Sequence, residues 1–487
     1  MKKFLRWFLL GLFLLAVILV INTFRFSSRQ LTGVAPAPPV AVGDSAVDRF
    51  AQALRYRTVS FTDYSLTDTT QFEAFGAFLK RSFPLMHSRL KLETFNRYGL
   101  LYEWKGRNPA LKPILLMAHY DVVPVIQGTE RMWPRPPFAG RVDGGIIYGR
   151  GTRDDKGCVM AISEAVEWLL KGGFQPERTV YLAFGQDEET LGKRGAEAIA
   201  KAFKQRNIDL EYVLDEGGTV KTDGIPGLKK PVALVGISEK GYVSLELTVV
   251  ASGGHSSMPP PQTSIGMVAE AVDRLQKNPF PARLDAGLAQ MFAYTGPEMS
   301  FGQRLVFAND WLFAPLVKRI IGQTNSGNAL IRTTTAPTIF KAGAKDNVLP
   351  IDATATVNFR ILPGESIASV TKRVKEVIDN EQVKVTVMSA SSTEPSPLSD
   401  PDDPAFTKLH RTIKSVFPEV VVTPFLVLGG TDSKYFARIC PNVYRFSPML
   451  TDEASIPTIH GTNERMPVDD YRNMIRFYVT LIRNSQN

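Results

Sequence analysis

Imidazole and carboxylate side chains recur at three places in this sequence directly beside apolar runs: MAHYD around His119, GRGTRDDKG ending at Gly157, and DEET beginning at Asp187. Donors gathered at the ends of neighbouring buried strands outline a metal site, because open α/β sheets take their ligands beyond the carboxyl ends of their strands. Of the five histidines, His119, His255 and His460 lie in Gly-, Asp- or Glu-rich motifs rather than on apolar faces. Histidine is the commonest metal ligand.

On an extended chain end, residues two apart point the same way, so His119 can bind a metal while Asp121 takes its other ring N–H. Alone, that pair also fits an ordinary buried histidine. Asp154, flanked by glycines before a helix, can bridge two cations through its two oxygens or simply cap the helix. Three adjacent carboxylates, Asp187, Glu188 and Glu189, repel one another unless cations or protons compensate, or the loop is solvated. One of them can ligate while its neighbour acts as general base on metal-activated water. Asp215 in VLDEGG and His460 in IHGTNER complete two sites of mixed nitrogen and oxygen donors, which suit zinc.

The elements that must position these groups follow α/β grammar. PILLMAH is a continuous apolar run of buried-strand length. VMAISEAVEWLL after Gly157 has helical spacing and ends at Gly172 and Gly173. A strand over 179–184, a helix from about Ala196 and a strand ending at Asp215 continue the pattern. Near Glu239 it changes, for VSLELTVV and ATATVNFR alternate with period two. With helices near 265–275 and 367–378, these predict an α+β unit inserted in the first domain. The segment 279–335, rich in aromatic residues, reads as an extra helical insertion. The expected organisation is a membrane anchor over 1–25, a linker over 26–44, a catalytic domain over 45–238 and 391–487, and the inserted unit over 239–390.

At 487 residues, 44% hydrophobic and 22% charged, the chain is globular. Its net charge of +9 is scattered, without the concentrated basic face that nucleic acid requires. Cys158 and Cys440 are too few for a disulfide framework or a thiolate cluster. Lys2, Lys3 and Arg6 precede an apolar run of about 18 residues from Trp7, enough to cross a bilayer. The expectation is an uncleaved single-pass anchor with a short cytoplasmic amino terminus and an exported body in a bacterial envelope, or secretion if the segment is cleaved. The Pro- and Ala-rich stretch 27–44 is expected to hold that body off the membrane.

In combination, H-x-D, GRG-x-x-D-x-KG, DEE-x-x-G, DEGG, GGHSS and HG-x-NER resemble the dinuclear zinc amidohydrolases that include aminoacylase, carboxypeptidase S and carnosinase. The resemblance lies nearest the carboxypeptidase S and N-acyl-amino-acid hydrolase branch and runs from about residue 45 to the end. It implies a mostly parallel-sheet catalytic domain with an inserted lid or dimerisation domain, and two zinc ions per subunit. Asp154 would bridge the ions, with His119 and Asp215 on one and Glu189 and His460 on the other. Glu188 becomes the general base, Asp121 the residue orienting His119, and His255 the oxyanion-binding group of the lid, supplied across a homodimer in many relatives. Asn347, Arg360, Gly430 and Thr431 match substrate contacts, and Arg360 suits a free carboxylate. The implied activity is hydrolysis of N-acyl amino acids or of the carboxyl-terminal residues of small peptides. An aminopeptidase or dipeptidase of the same family, or a non-catalytic receptor, is the alternative.

Overall fold

A computed structural model of the chain describes residues 1–389 and 392–486. Eight strands form its central sheet, in the order Lys91–Phe95, Gly99–Trp104, Val180–Gly185, Ile114–His119, Tyr212–Lys221, Val443–Thr451, Val232–Glu239 and Val421–Val427. The strands at its heart, Val180–Gly185, Ile114–His119, Tyr212–Lys221 and Val443–Thr451, pair in parallel. Every residue of Ile114–His119 is buried, because helices cover both faces of the sheet. Leu116 and Ala118 face the core shared with the helices Lys156–Lys171 and Val468–Asn484, whereas Leu115 and Met117 face the one shared with Ala196–Gln205. The run of apolar residues follows from this two-sided burial.

A second sheet is antiparallel throughout, in the order Thr334–Ala342, Asp352–Ile361, Gly241–Val250 and Lys384–Val387. Alternate residues Val243, Leu245, Leu247 and Val249 are buried with Ala353, Val357 and Phe359 beneath the helices Ser264–Lys277 and Ile367–Ile378. The expected boundary at 390/391 lies outside the described residues.

Four helices fill the aromatic-rich insertion: Ala286–Thr295, Phe301–Ala308, Asp310–Ile321 and Asn325–Ile331. The first packs on the edge strand Val421–Val427, where the Thr423 hydroxyl donates to the Met291 carbonyl at 3.2 Å. This cover protects an edge that would otherwise be open to pairing.

The amino-terminal helix, Lys2–Arg25, is exposed over most of its length. The stretch after it is not the free spacer its composition suggests. The Gln30 side chain both donates to the Val422 carbonyl and accepts from the Val422 N–H, at 2.8 and 2.9 Å. The Ala37 N–H donates to the Ser415 carbonyl, and Val40 is buried. These contacts hold the extended segment against the body: the Gln30 amide pairs with the backbone of the strand edge, and the Ala37 N–H finds its partner on the helix Pro404–Val416 that precedes that strand.

Candidate metal centre

His119 ends its strand with its Nε2 2.9 Å from Asp154 Oδ1 and 3.2 Å from Glu216 Oε1. The other oxygen of Asp154 lies 2.9 Å from His460 Nε2, which is also 3.1 Å from Glu189 Oε2. Two donor sets thus share one carboxylate, His119–Asp154–Glu216 and Asp154–Glu189–His460, and within each set the donor atoms lie within 4.8 Å of one another.

Asp121 holds the two motifs together. Its oxygens accept from the Ser60 hydroxyl at 2.6 Å and from the backbone N–H groups of Glu188 and Glu189 at 3.1 and 3.2 Å. His119 Nδ1 lies 3.1 Å from the Asp121 carbonyl and 3.3 Å from its carboxylate. The ring is therefore oriented by Asp121 through both groups. Asp187, first of the three acidic residues, accepts from the N–H groups of Arg194 and Gly195 and secures the turn. The peptide between Asp154 and Asp155 is cis.

A buried clamp joins the Asp154 loop to the His460 loop. Arg150 Nη1 donates to Glu464 at 2.7 Å, and Arg150 Nη2 donates to the carbonyls of His460 and Gly461. Glu464 also accepts from the N–H groups of Gly151, Arg153 and Asp154. His460 has φ +57°, a left-handed conformation uncommon outside glycine. Arg150 grips that strained backbone at its carbonyl.

The structure differs from the sequence expectation at Asp215. Its carboxylate accepts from the Ser433 and Glu216 N–H groups at 2.7 and 2.9 Å, while Glu216 stands 3.2 Å from the His119 ring. The reason is a bulge: Asp215 pairs with Arg445 and Gly218 with Phe446, leaving Glu216 and Gly217 out of register. Gly218 has no room for a side chain, since a Cβ there would lie 1.8 Å from the Leu234 carbonyl oxygen. The pair of glycines after Glu216 was the available signal, for glycine inside a strand marks bulges and close backbone approach. Arg150 and Glu464, inside the GRG and NER motifs, carried no such signal.

The remaining expected residues fall in separate places. His255 and Asn347 meet on a two-stranded ribbon, where Gly254 and His255 pair with Leu349 and Val348 and the Ser256 N–H donates to the Asn347 carbonyl. His255 is exposed, with Nδ1 2.8 Å from Ser257 Oγ. Arg360 lies on the second sheet opposite Tyr242, its guanidinium 4.8 Å from that ring's centre. Among the described residues it meets no carboxylate. Thr431 is buried, and both its N–H and its hydroxyl donate to Glu239, which also accepts from Arg445. Gly430 beside it is exposed.

The electrostatics test whether these residues fit cations. Burial pushes Glu189 and Glu216 up to about 7 each, and Glu188 well above the glutamate range. Hydrogen bonds to Asp154 and Glu189 raise His460 to about 10. Burial opposes charge on His119, but Glu216, Asp121 and Asp154 outweigh it and raise its pKa. The carboxylates thus draw positive charge inward, and the imidazoles answer with protons. Among the described residues, Glu189 Oε1 is buried without a hydrogen-bond partner. A cluster of mixed nitrogen and oxygen donors, one carboxylate facing both ways, fits two divalent cations.

The family model for peptidase family M20/M25/M40 matches residues 115–484. The chain belongs to this family. Two M20 relatives are similar over nearly all of it. A probable carboxypeptidase S-like 2 of Dictyostelium discoideum is 41% identical over 495 residues, covering 100% of this chain and 94% of the relative. The human N-fatty-acyl-amino acid synthase/hydrolase PM20D1 is 41% identical over 439 residues, covering 89% and 86%. The fold is that of an M20 family metallo-carboxypeptidase from Sulfolobus solfataricus, with TM-score 0.66 at 19% identity, covering 91% of this chain and 100% of that one.

Proposed function

We propose that this M20 protein is a membrane-anchored zinc hydrolase that cleaves the amide bond of N-acyl amino acids or of small peptides next to a free carboxylate. The bridging position of Asp154 between two donor sets carries the reading. His119 and Glu216 would hold one zinc ion, Glu189 and His460 the other. When bound, the metals polarise the scissile carbonyl and acidify water.

The protein's own groups supply the rest. Glu188, its carboxyl raised by burial and by Glu216 and Asp432 against the pull of His119, is suited to take a proton from water and return it to the leaving nitrogen. Asp121 keeps Glu188 in place through its backbone N–H. Arg360, which meets no carboxylate among the described residues, would receive the substrate's carboxylate, which favours this substrate class over an aminopeptidase's. His255 and Asn347, at the exposed two-stranded ribbon of the inserted unit, would reach the reacting carbonyl on closure of that unit as a lid, within one chain or across a homodimer. The apolar helix Lys2–Arg25 would be the anchor.

The test is release of free amino acid from a panel of N-acyl amino acids and dipeptides by the zinc-loaded protein and by Glu188→Gln. Expected is zinc-dependent turnover that falls by about 10²- to 10⁴-fold in the variant. Metal binding without turnover of any member would favour a receptor instead.

A further inference from the structure

The amino-terminal helix does not stand clear of the body. Its apolar run from Trp7 to Phe24 spans about 27 Å at 1.5 Å per residue, close to the thickness of a bilayer's hydrocarbon core. Contacts with the body begin in the last two turns of that run. Asn309 donates to the Leu19 carbonyl at 3.1 Å and accepts from Asn22 at 2.8 Å. Phe24 meets Phe301 at 6.2 Å, and Arg304 donates to the Phe26 carbonyl. All these partners belong to the helical insertion. If the helix spans, no length remains to separate the insertion from the lipid surface.

The insertion presents apolar side chains at that level. Leu312, Leu316 and Ile320, spaced four apart on the helix Asp310–Ile321, form an exposed ridge, with Ile320 56% exposed; Trp311 on the same helix is 60% exposed, and Phe301 on the preceding helix is exposed as well. Lys318 and Arg319 accompany them in the last turn. Trp and Leu on one side with basic residues nearby are the features of a helix lying in the headgroup region.

We infer that the helix Asp310–Ile321 docks in the surface of the same bilayer that the amino-terminal helix crosses, fixing the catalytic body against the membrane. This rests on the anchor reading above. The occupant of the ridge is lipid, because the anchor's exit point adjoins it.

The full chain carrying Leu316→Cys, labelled with an environment-sensitive dye, tests this in phosphatidylcholine–phosphatidylglycerol vesicles. The two native cysteines are buried and resist labelling. A second labelled site, Glu376→Cys on the second unit, is the comparison. Flotation with the vesicles reports the anchor independently of the label. Expected is flotation together with a blue shift and quenching by nitroxide lipids at 316, and quenching by aqueous iodide at 376. In the double variant Trp311→Glu and Ile320→Glu, the chain should still float while the label at 316 becomes open to iodide. Flotation with iodide access at 316 in the unaltered background overturns the docking and leaves the anchor standing. Failure to float overturns both. Protection at 316 in detergent micelles, with cross-linking between chains, assigns the ridge to a second copy and also overturns the proposal.

Discussion

Arg150 and Glu464, 314 positions apart, form a fully buried ion pair at 2.7 Å that ties the loop bearing Asp154 to the loop bearing His460. Burial raises the Glu464 carboxyl despite Arg150. The pair therefore sets geometry more than it adds stability, as desolvation offsets most of its attraction. Glu464→Ala strands a buried guanidinium and releases three backbone N–H groups. It should destabilise the fold by about 3–5 kcal/mol in urea unfolding. Glu464→Gln keeps an acceptor and should lose less, while both variants should bind zinc more weakly by calorimetry.

Glu216 and Asp215 should separate in metal content. Glu216→Ala is expected to bind one zinc ion per chain instead of two, measured by elemental analysis after dialysis. Asp215→Asn should retain both and lower kcat/KM by about 10- to 100-fold, because it loosens the Ser433 N–H contact that seats the loop 429–433. The reverse pattern would return the ligand role to Asp215.

Arg360→Ala should raise KM for an N-acyl amino acid on the order of 100-fold with a smaller change in kcat, since it removes a charge partner of the substrate carboxylate. Arg360→Lys should recover part of that loss, as a point charge replaces a planar fork. Equal effects on substrates with and without a free carboxylate would remove Arg360 from recognition.

His410 supplies a pH dependence of stability away from the metal centre. Burial, helped by Lys414 and Arg411, holds its imidazole down at about 4. The unfolded chain, with an ordinary histidine pKa near 6.5, binds more protons than the folded one between those values. Its contribution is complete above about pH 6.5 and declines as pH falls towards 4, by at most about 3 kcal/mol. His410→Gln should therefore lose less stability than the parent between pH 7.5 and 4.5 in paired urea titrations.

The sequence by itself determined the sheet-and-helix alternation, because two-sided burial writes continuous apolar runs such as Ile114–His119 and one-sided burial writes alternation such as Val243 to Val249. It also determined which motifs carry donors, since imidazoles and carboxylates beside glycine at strand ends have few structural uses. Only the tertiary structure decided which of two adjacent carboxylates, Asp215 or Glu216, faces His119. Side-chain direction in a strand flips with every residue, and the bulge that leaves Glu216 and Gly217 unpaired frees them locally from that alternation without changing composition. Tertiary contacts also decided that residues 26–43 lie on the body and that Arg150 meets Glu464. Those pairings depend on backbone partners distant in the chain, which no local pattern encodes.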